Sequence, residues 1–136
     1  MKKPYLLDTS AIMTLMENEA GADHVEEILR NESVLLPFVV PFEVYYITLQ
    51  EKDEQTAGYR YAMLKALRVT HLWEMNEPIL LTAARYKGRH SISIPDSIIA
   101  AFAARHSAIL VHKDPEYETL KDEVEQEILP YKSKKL

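Results

Sequence analysis

The sequence contains no cysteine, which excludes disulfide frameworks, thiolate zinc sites and cysteine nucleophiles and fits a reducing compartment. Glycine is scarce, with three residues in 136, and no glycine-rich phosphate loop is present. Ser10 has no nucleophile-elbow context around it. No apolar run is long enough to span a bilayer, and Asp8 interrupts the one N-terminal segment that imitates a secretory signal. A cytoplasmic chain without membrane contact is the expectation. Positive charge is also short: 16 basic residues face 21 acidic ones, for a net charge of −5. That balance argues against the basic face of a nonspecific nucleic-acid coat. Local clusters do occur, at Arg85, Lys87, Arg89 and His90 and again at Lys132, Lys134 and Lys135. Acidic residues gather in 17–32, 51–54 and 116–127, and the plain reading of all these runs is solvated helix faces.

The remaining composition describes one domain, residues 1–136, with enough apolar sequence for a core and no repeat, linker or low-complexity tract. Strand and helix patterns alternate. Tyr5–Leu7 reads as a buried strand, and a helix follows from Thr9 with Ile12, Leu15 and Met16. Ala20–Arg30 carries Val25, Ile28 and Leu29 at helical spacing. Ser33–Pro37 is a strand, and Pro41 suits the first turn of a helix reaching Gln50. Asp53 starts a helix with Ala57, Tyr61, Leu64 and Leu67 on one face, and Val69–Trp73 is a strand. Glu77–Lys87 is a helix with Gly88 as its stop signal. Pro95–His106 is an alanine-rich helix, Ala108–Val111 a strand, Asp114-Pro115 a turn, and the tail with Val124, Ile128, Leu129 and Tyr131 a candidate edge strand. This alternation predicts an α/β fold with a mostly parallel central sheet and helices on both faces. Such sheets bind ligands at the carboxyl ends of their strands.

Four acids interrupt apolar sequence. Asp8 ends Tyr5-Leu6-Leu7, Glu43 sits within Phe38 to Ile47, Asp96 opens an alanine-rich helix, and Asp114 follows Ala108-Ile109-Leu110-Val111 after two residues. A carboxylate beside the core is costly unless it is paired, hydrogen-bonded or bound to a cation. The predicted topology sets all four on one rim, Asp8 and Asp114 after strands, Glu43 and Asp96 in first turns of helices. Local explanations remain open. Asp8 is a suitable helix cap, Ser93 and Asp96 have capping-box spacing, and Asp114 before Pro115 is ordinary turn chemistry. Glu43 is harder to explain this way, because a helix dipole contributes only about 0.3–1 kcal/mol to an exposed acid. A hard metal ion held by oxygen ligands accounts for all four together.

The order and wording of these segments resemble a PIN domain of the VapC type, the toxin half of toxin–antitoxin pairs. The carrying residues are Leu6-Leu7-Asp8-Thr9-Ser10, Pro41-Phe42-Glu43, Pro95-Asp96-Ser97-Ile98-Ile99-Ala100-Ala101 and Ile109-Leu110-Val111-His112-Lys113-Asp114. The resemblance spans nearly the whole chain. It implies a three-layer α/β/α fold and a Mg2+- or Mn2+-dependent endoribonuclease whose catalytic and metal-holding quartet is Asp8, Glu43, Asp96 and Asp114. It also implies Ser10 or Thr9 near the metal, a supporting acid at Glu116, a cognate antitoxin and a homodimer. His112 departs from the family pattern, which has Thr or Ser there, and bears on local hydrogen bonding and metal preference.

A bound divalent cation would offset the negative charge that builds on a phosphodiester during hydrolysis and would acidify water. Asp8, Asp96 and Asp114 are the expected holders, with Glu43 completing the shell or orienting water. Four clustered carboxylates should repel one another and titrate together at raised pKa. Arg85, Lys87 and Arg89 are candidate phosphate contacts for RNA, with Tyr86 as a stacking face; the alternative is a basic helix end favoured by the dipole. Tyr45, Tyr46, Tyr59 and Tyr61 read as core or interface residues. Three other readings compete: an RNA-processing nuclease outside a toxin system, a catalytically weak protein-interaction module, and a phosphoacceptor domain. For the last, an aspartate-nucleophile phosphatase needs a second Asp two residues after Asp8, where Ser10 stands. A receiver needs paired acids near its first strand and an acceptor Asp after its third, a pattern that does not occur.

Overall fold

A computed structural model describes residues 2–131, so the lysines at 132, 134 and 135 lie outside the described residues. Five short strands form one parallel sheet: β1 (Tyr5–Leu7), β2 (Val34–Pro37), β3 (Thr70–Leu72), β4 (Ile109–His112) and β5 (Gln126–Ile128). Their spatial order is β3-β2-β1-β4-β5, and every neighbouring pair is parallel. The expected edge strand in the tail is therefore β5. Because helices cover both faces, the central strands are apolar on both sides. Leu6, Leu7, Leu36, Leu110 and Val111 are fully buried.

The crossovers carry α1 (Thr9–Met16) and α2 (Ala22–Asn31), then α3 (Val39–Glu51) and α4 (Glu54–Ala66), then α5 (Glu77–Arg89) and α6 (Ile94–Arg105). The chain steps outward from β1 to β3, then returns to β4 on the other side of β1. Right-handed crossovers therefore place α1–α4 on one face and α5–α6 on the other. The result is a three-layer α/β/α fold. The direction of winding reverses between β1 and β4, and a crevice opens at the carboxyl ends of those two strands. Asp8 directly follows β1, its amide donating to Val111 O at 3.2 Å, and Asp114 lies two residues beyond the end of β4.

Two local expectations are corrected. Gly88 does not stop its helix; α5 runs through it to Arg89 and ends at His90, whose extended backbone donates to Tyr86 O. The glycine that does meet a conformational demand is Gly21, which caps α2 at φ 102° against Leu129 and Pro130. Finally, α3 starts at Val39, because Phe38 already has helical φ and ψ. Pro41 stays in the first turn, but Glu43 moves to the second, out of reach of the helix-end amides.

Candidate functional site

Three of the four acids, Asp8, Asp96 and Asp114, reach the rim through local capping arrangements. Asp8 is the N-cap of α1: its Oδ1 accepts from Ala11 N at 2.8 Å, and the Ser10 hydroxyl donates to both of its oxygens at 2.7 and 2.8 Å. Ser10 Oγ in turn accepts from Lys113 N at 2.8 Å, which ties the end of β1 to the end of β4. Asp114 caps a 3₁₀ helix, Pro115–Leu120, by accepting from Glu116 N at 3.0 Å. Cap and site are thus one structure for both residues.

The capping box at α6 is divided between two elements. Ser93 Oγ accepts from Asp96 N at 3.3 Å, as the spacing predicts. The Ser93 amide, however, donates to Glu116 from the 3₁₀ helix instead of to Asp96. Asp96 is left to face the crevice, where the Tyr117 hydroxyl donates to its Oδ1 at 3.0 Å. Tyr117 is fully buried and lies close enough to Asp8 to lower its carboxyl pKa, so one phenol sits between two of the acids.

Carboxylate oxygens of Asp96, Asp114 and Glu116 lie within 4.8 Å of one another. Asp8 adjoins this trio, close enough for the Asp114 charge to act on it. Burial pushes the Asp8 carboxyl up to about 7, with Asp114 adding to the rise and the bonds from Ser10 and Ala11 opposing it. Burial likewise drives Asp96 well above the usual carboxylate range, reinforced by Glu116 and Asp114. Tyr117 is held far above an ordinary phenol by burial and by the Asp8 and Asp96 charges. Like charges confined this closely are relieved by a proton or by a cation.

Glu43 stands apart from the trio. Its Oε1 accepts from Thr9 Oγ1 at 2.6 Å, so Thr9 bonds to Glu43 while Ser10 bonds to Asp8. Tyr46, on the same helix, has its phenol pKa raised by burial and then by Glu43, with a smaller effect from Asp96. Tyr46 is therefore within electrostatic reach of both Glu43 and Asp96, the latter a member of the half-buried cluster.

His112 is fully buried and has both ring nitrogens engaged. Nδ1 accepts from Asp114 N at 3.0 Å, and Nε2 is 2.7 Å from Gln126 Oε1, which makes the ring the neutral Nε2–H tautomer. Burial lowers its pKa, consistent with that state. Neither nitrogen is left for a metal; the ring aims the backbone of Asp114. Gln126 passes the bond on to Tyr117 O at 2.9 Å.

The basic segment sits differently from expectation. Lys87 Nζ donates to Ile92 O at 2.8 Å, closing its own loop, while Arg85 and Arg89 are exposed. Among the described residues none of the three pairs with the acidic cluster. Tyr86 is buried in the core and offers no stacking face. The aromatic residues of α3 and α4, in contrast, are not packed away. Phe38, Phe42, Tyr45, Tyr46, Tyr61 and Trp73 line an open groove of about 490 Å³, with Phe42 66% exposed. Tyr59, at 67%, is exposed as well.

Tyr117, Gln126 and Lys113 were not singled out as site residues by sequence. Tyr117 had a faint signal, a lone aromatic in the acidic stretch Pro115 to Leu120. Gln126 had none, because its role depends on β5 pairing with β4.

A parallel sheet with carboxylates converging at its switch point defines an α/β/α protein with an acidic, oxygen-only site. The model of the PIN domain family matches residues 5–123, and the chain belongs to that family. Its fold is shared with solved structures of low sequence identity. VapBC2 from Rickettsia felis, bound to a DNA fragment from its promoter, aligns at TM-score 0.76 and 14% identity over 93% of this chain and 98% of the other. VapBC-1 from nontypeable Haemophilus influenzae aligns at 0.70 and 22%, covering 91% and 96%. Mycobacterium tuberculosis VapC20, described as a sarcin–ricin loop cleaving toxin, aligns at 0.65 and 15%, covering 85% and 93%. No curated protein sequence matches the chain.

Proposed function

We propose that this chain is a Mg2+- or Mn2+-dependent endoribonuclease and the toxin of a toxin–antitoxin pair. The observation that carries the reading is the convergence of Asp96, Asp114 and Glu116 beside the buried Asp8 at the β1/β4 crevice. PIN domains are generally nucleases, and the solved neighbours include VapBC complexes and a sarcin–ricin loop cleaving toxin. The donor set suits the cation: carboxylates only, with no thiolate in the chain and no free imidazole at the cluster. Bound there, a divalent cation supplies charge stabilisation to the phosphoryl oxygens and acidifies coordinated water.

Asp96, Asp114, Glu116 and Asp8 hold that ion in this reading. Ser10 and Tyr117 orient the carboxylates, and Glu43, steadied by Thr9, orients water from the far side. Arg85 and Arg89 approach the RNA backbone. The aromatic groove along α3 and α4 receives an apolar segment of the antitoxin, and a homodimer in the cytoplasm is the working form.

Cleavage of defined RNAs with Mg2+, Mn2+ or chelator, comparing wild type with Asp8→Asn and Asp96→Asn, tests the reading. Metal-dependent cutting lost in both variants is expected. Metal-independent cutting, or full activity in both variants, refutes it. A small antitoxin-like reading frame directly upstream separates the toxin role from RNA processing.

A further inference from the structure

The Lys113 side chain has no part in the account above, yet its environment is unusual. Only 5% of its side chain is exposed, and a buried ammonium is costly unless anions or acceptors surround it. Its one ion pair among the described residues is with Glu19, at 3.7 Å, beyond hydrogen-bonding distance. The ammonium is nevertheless not sealed in the core, since the only buried nitrogen or oxygen without a partner among the described residues is His71 Nδ1. Lys113 borders a cavity of about 360 Å³ whose wall also includes Ser10, Glu19, Asp114 and Tyr131. Two of these belong to the acidic site, so the cavity and the carboxylate cluster share a border.

We propose that Lys113 and this cavity bind a backbone phosphate of the substrate strand, the one adjoining the phosphate at the carboxylates. The proposal rests on the nuclease reading and extends it to a second phosphate. A strand crossing an acidic cluster is repelled on both sides of the bound cation, so a neighbouring phosphate needs a cation supplied by the protein. Lys113 is placed for that. Its amide is fixed to Ser10 Oγ, which sets the start of its side chain relative to Asp8. Its ammonium has hydrogen-bonding capacity left over beside a weak ion pair. A phosphate oxygen entering the cavity satisfies that capacity, and Glu19 keeps the stem oriented. Recognition here is of charge and not of base identity, as phosphate contacts are in general.

The test uses single-turnover cleavage of a fluorescein-labelled, mixed-sequence, single-stranded RNA with Mn2+, over a series of protein and KCl concentrations. Lys113→Gln should raise the half-saturating protein concentration about tenfold, the loss of one charged hydrogen bond. It should also shrink the log–log salt slope by about 0.7, the value for one single-strand phosphate. Lys113→Arg should recover most of both, and Glu19→Gln should bind RNA at least as tightly as wild type. If Lys113→Gln and Glu19→Gln instead lower the melting temperature alike and leave the salt slope unchanged, Lys113 is a structural clamp and the proposal falls alone. If the wild type cuts no RNA with Mn2+ or Mg2+, the nuclease reading falls and takes this proposal with it.

Discussion

Replacing Asp8 with Asn should make the metal-free protein more stable while removing its site. Asp8 is 2% exposed, and its carboxyl is raised from 3.8 to about 7. In the unfolded chain it ionises near 3.8; in the folded chain it holds its proton until about pH 7. Below pH 3.8 both states are protonated and Asp8 costs nothing. As pH climbs from about 4 to about 7 the unfolded chain releases a proton that the folded chain keeps, and stability falls through that window. Above it the loss is constant. A gap of about 3 pH units, at about 1.4 kcal/mol each, amounts to about 4 kcal/mol at pH 8. Asparagine carries no charge and still caps α1, because its Oδ1 can accept from Ala11 N. It loses the second acceptor that Ser10 uses, which returns part of the gain. A net stabilisation of about 2 kcal/mol is expected, or about 8 °C in melting temperature for a chain of this length. Thermal melts in chelator at pH 8 and at pH 4.5 measure it, with the gap between variant and wild type narrowing at the lower pH. Added Mn2+ should raise the wild-type melting temperature and leave the variant nearly unmoved. An Asp8→Asn protein that melts at or below wild type at pH 8 in chelator would refute the electrostatic reasoning.

Other consequences are as specific. Tyr117→Phe keeps the buried ring but removes the hydroxyl that holds Asp96, so Mn2+ affinity by calorimetry should drop about tenfold with the fold intact; unchanged affinity removes the hydroxyl from the site. His112→Leu strands Asp114 N and Gln126 Oε1 and should lower stability by about 2–4 kcal/mol in urea melts. The His112 pKa is lowered on folding, so its contribution is complete above the unfolded value of about 6.5 and is lost as pH falls below it, a trend His112→Leu should lack. Gly21→Ala forces a side chain into a left-handed backbone 3.2 Å from Pro130 Cδ and should cost about 1–2 kcal/mol by chemical denaturation.

Where the sequence was legible, the reason is that strand, helix and site are specified by adjacent residues. Leu6-Leu7-Asp8-Thr9-Ser10 contains a strand buried on both faces, the cap of the next helix and two side chains of the rim, all within five positions. Alternation of such units was enough to predict the parallel sheet, and the sheet's order then made the crevice between β1 and β4. Legibility failed where an interaction depends on residues brought together only by folding. Ser93 and Asp96 have the spacing of a capping box, and no local rule says that Glu116 will take the Ser93 amide in place of Asp96. That exchange turns Asp96 from a cap into a site residue and brings Glu116 into the trio. His112 shows the same limit. Its place in the sequence marks a departure from the family pattern, but its neutral tautomer follows from Gln126 on a strand that pairs only in the folded sheet. The stability cost of Asp8 and the bridging phenol of Tyr117 belong together in this light. Carboxylates crowded this closely need hydrogen-bond donors beside them. Ser10, Tyr117 and the Ala11 amide are those donors, contributed by α1 and the 3₁₀ helix, which meet at the switch point.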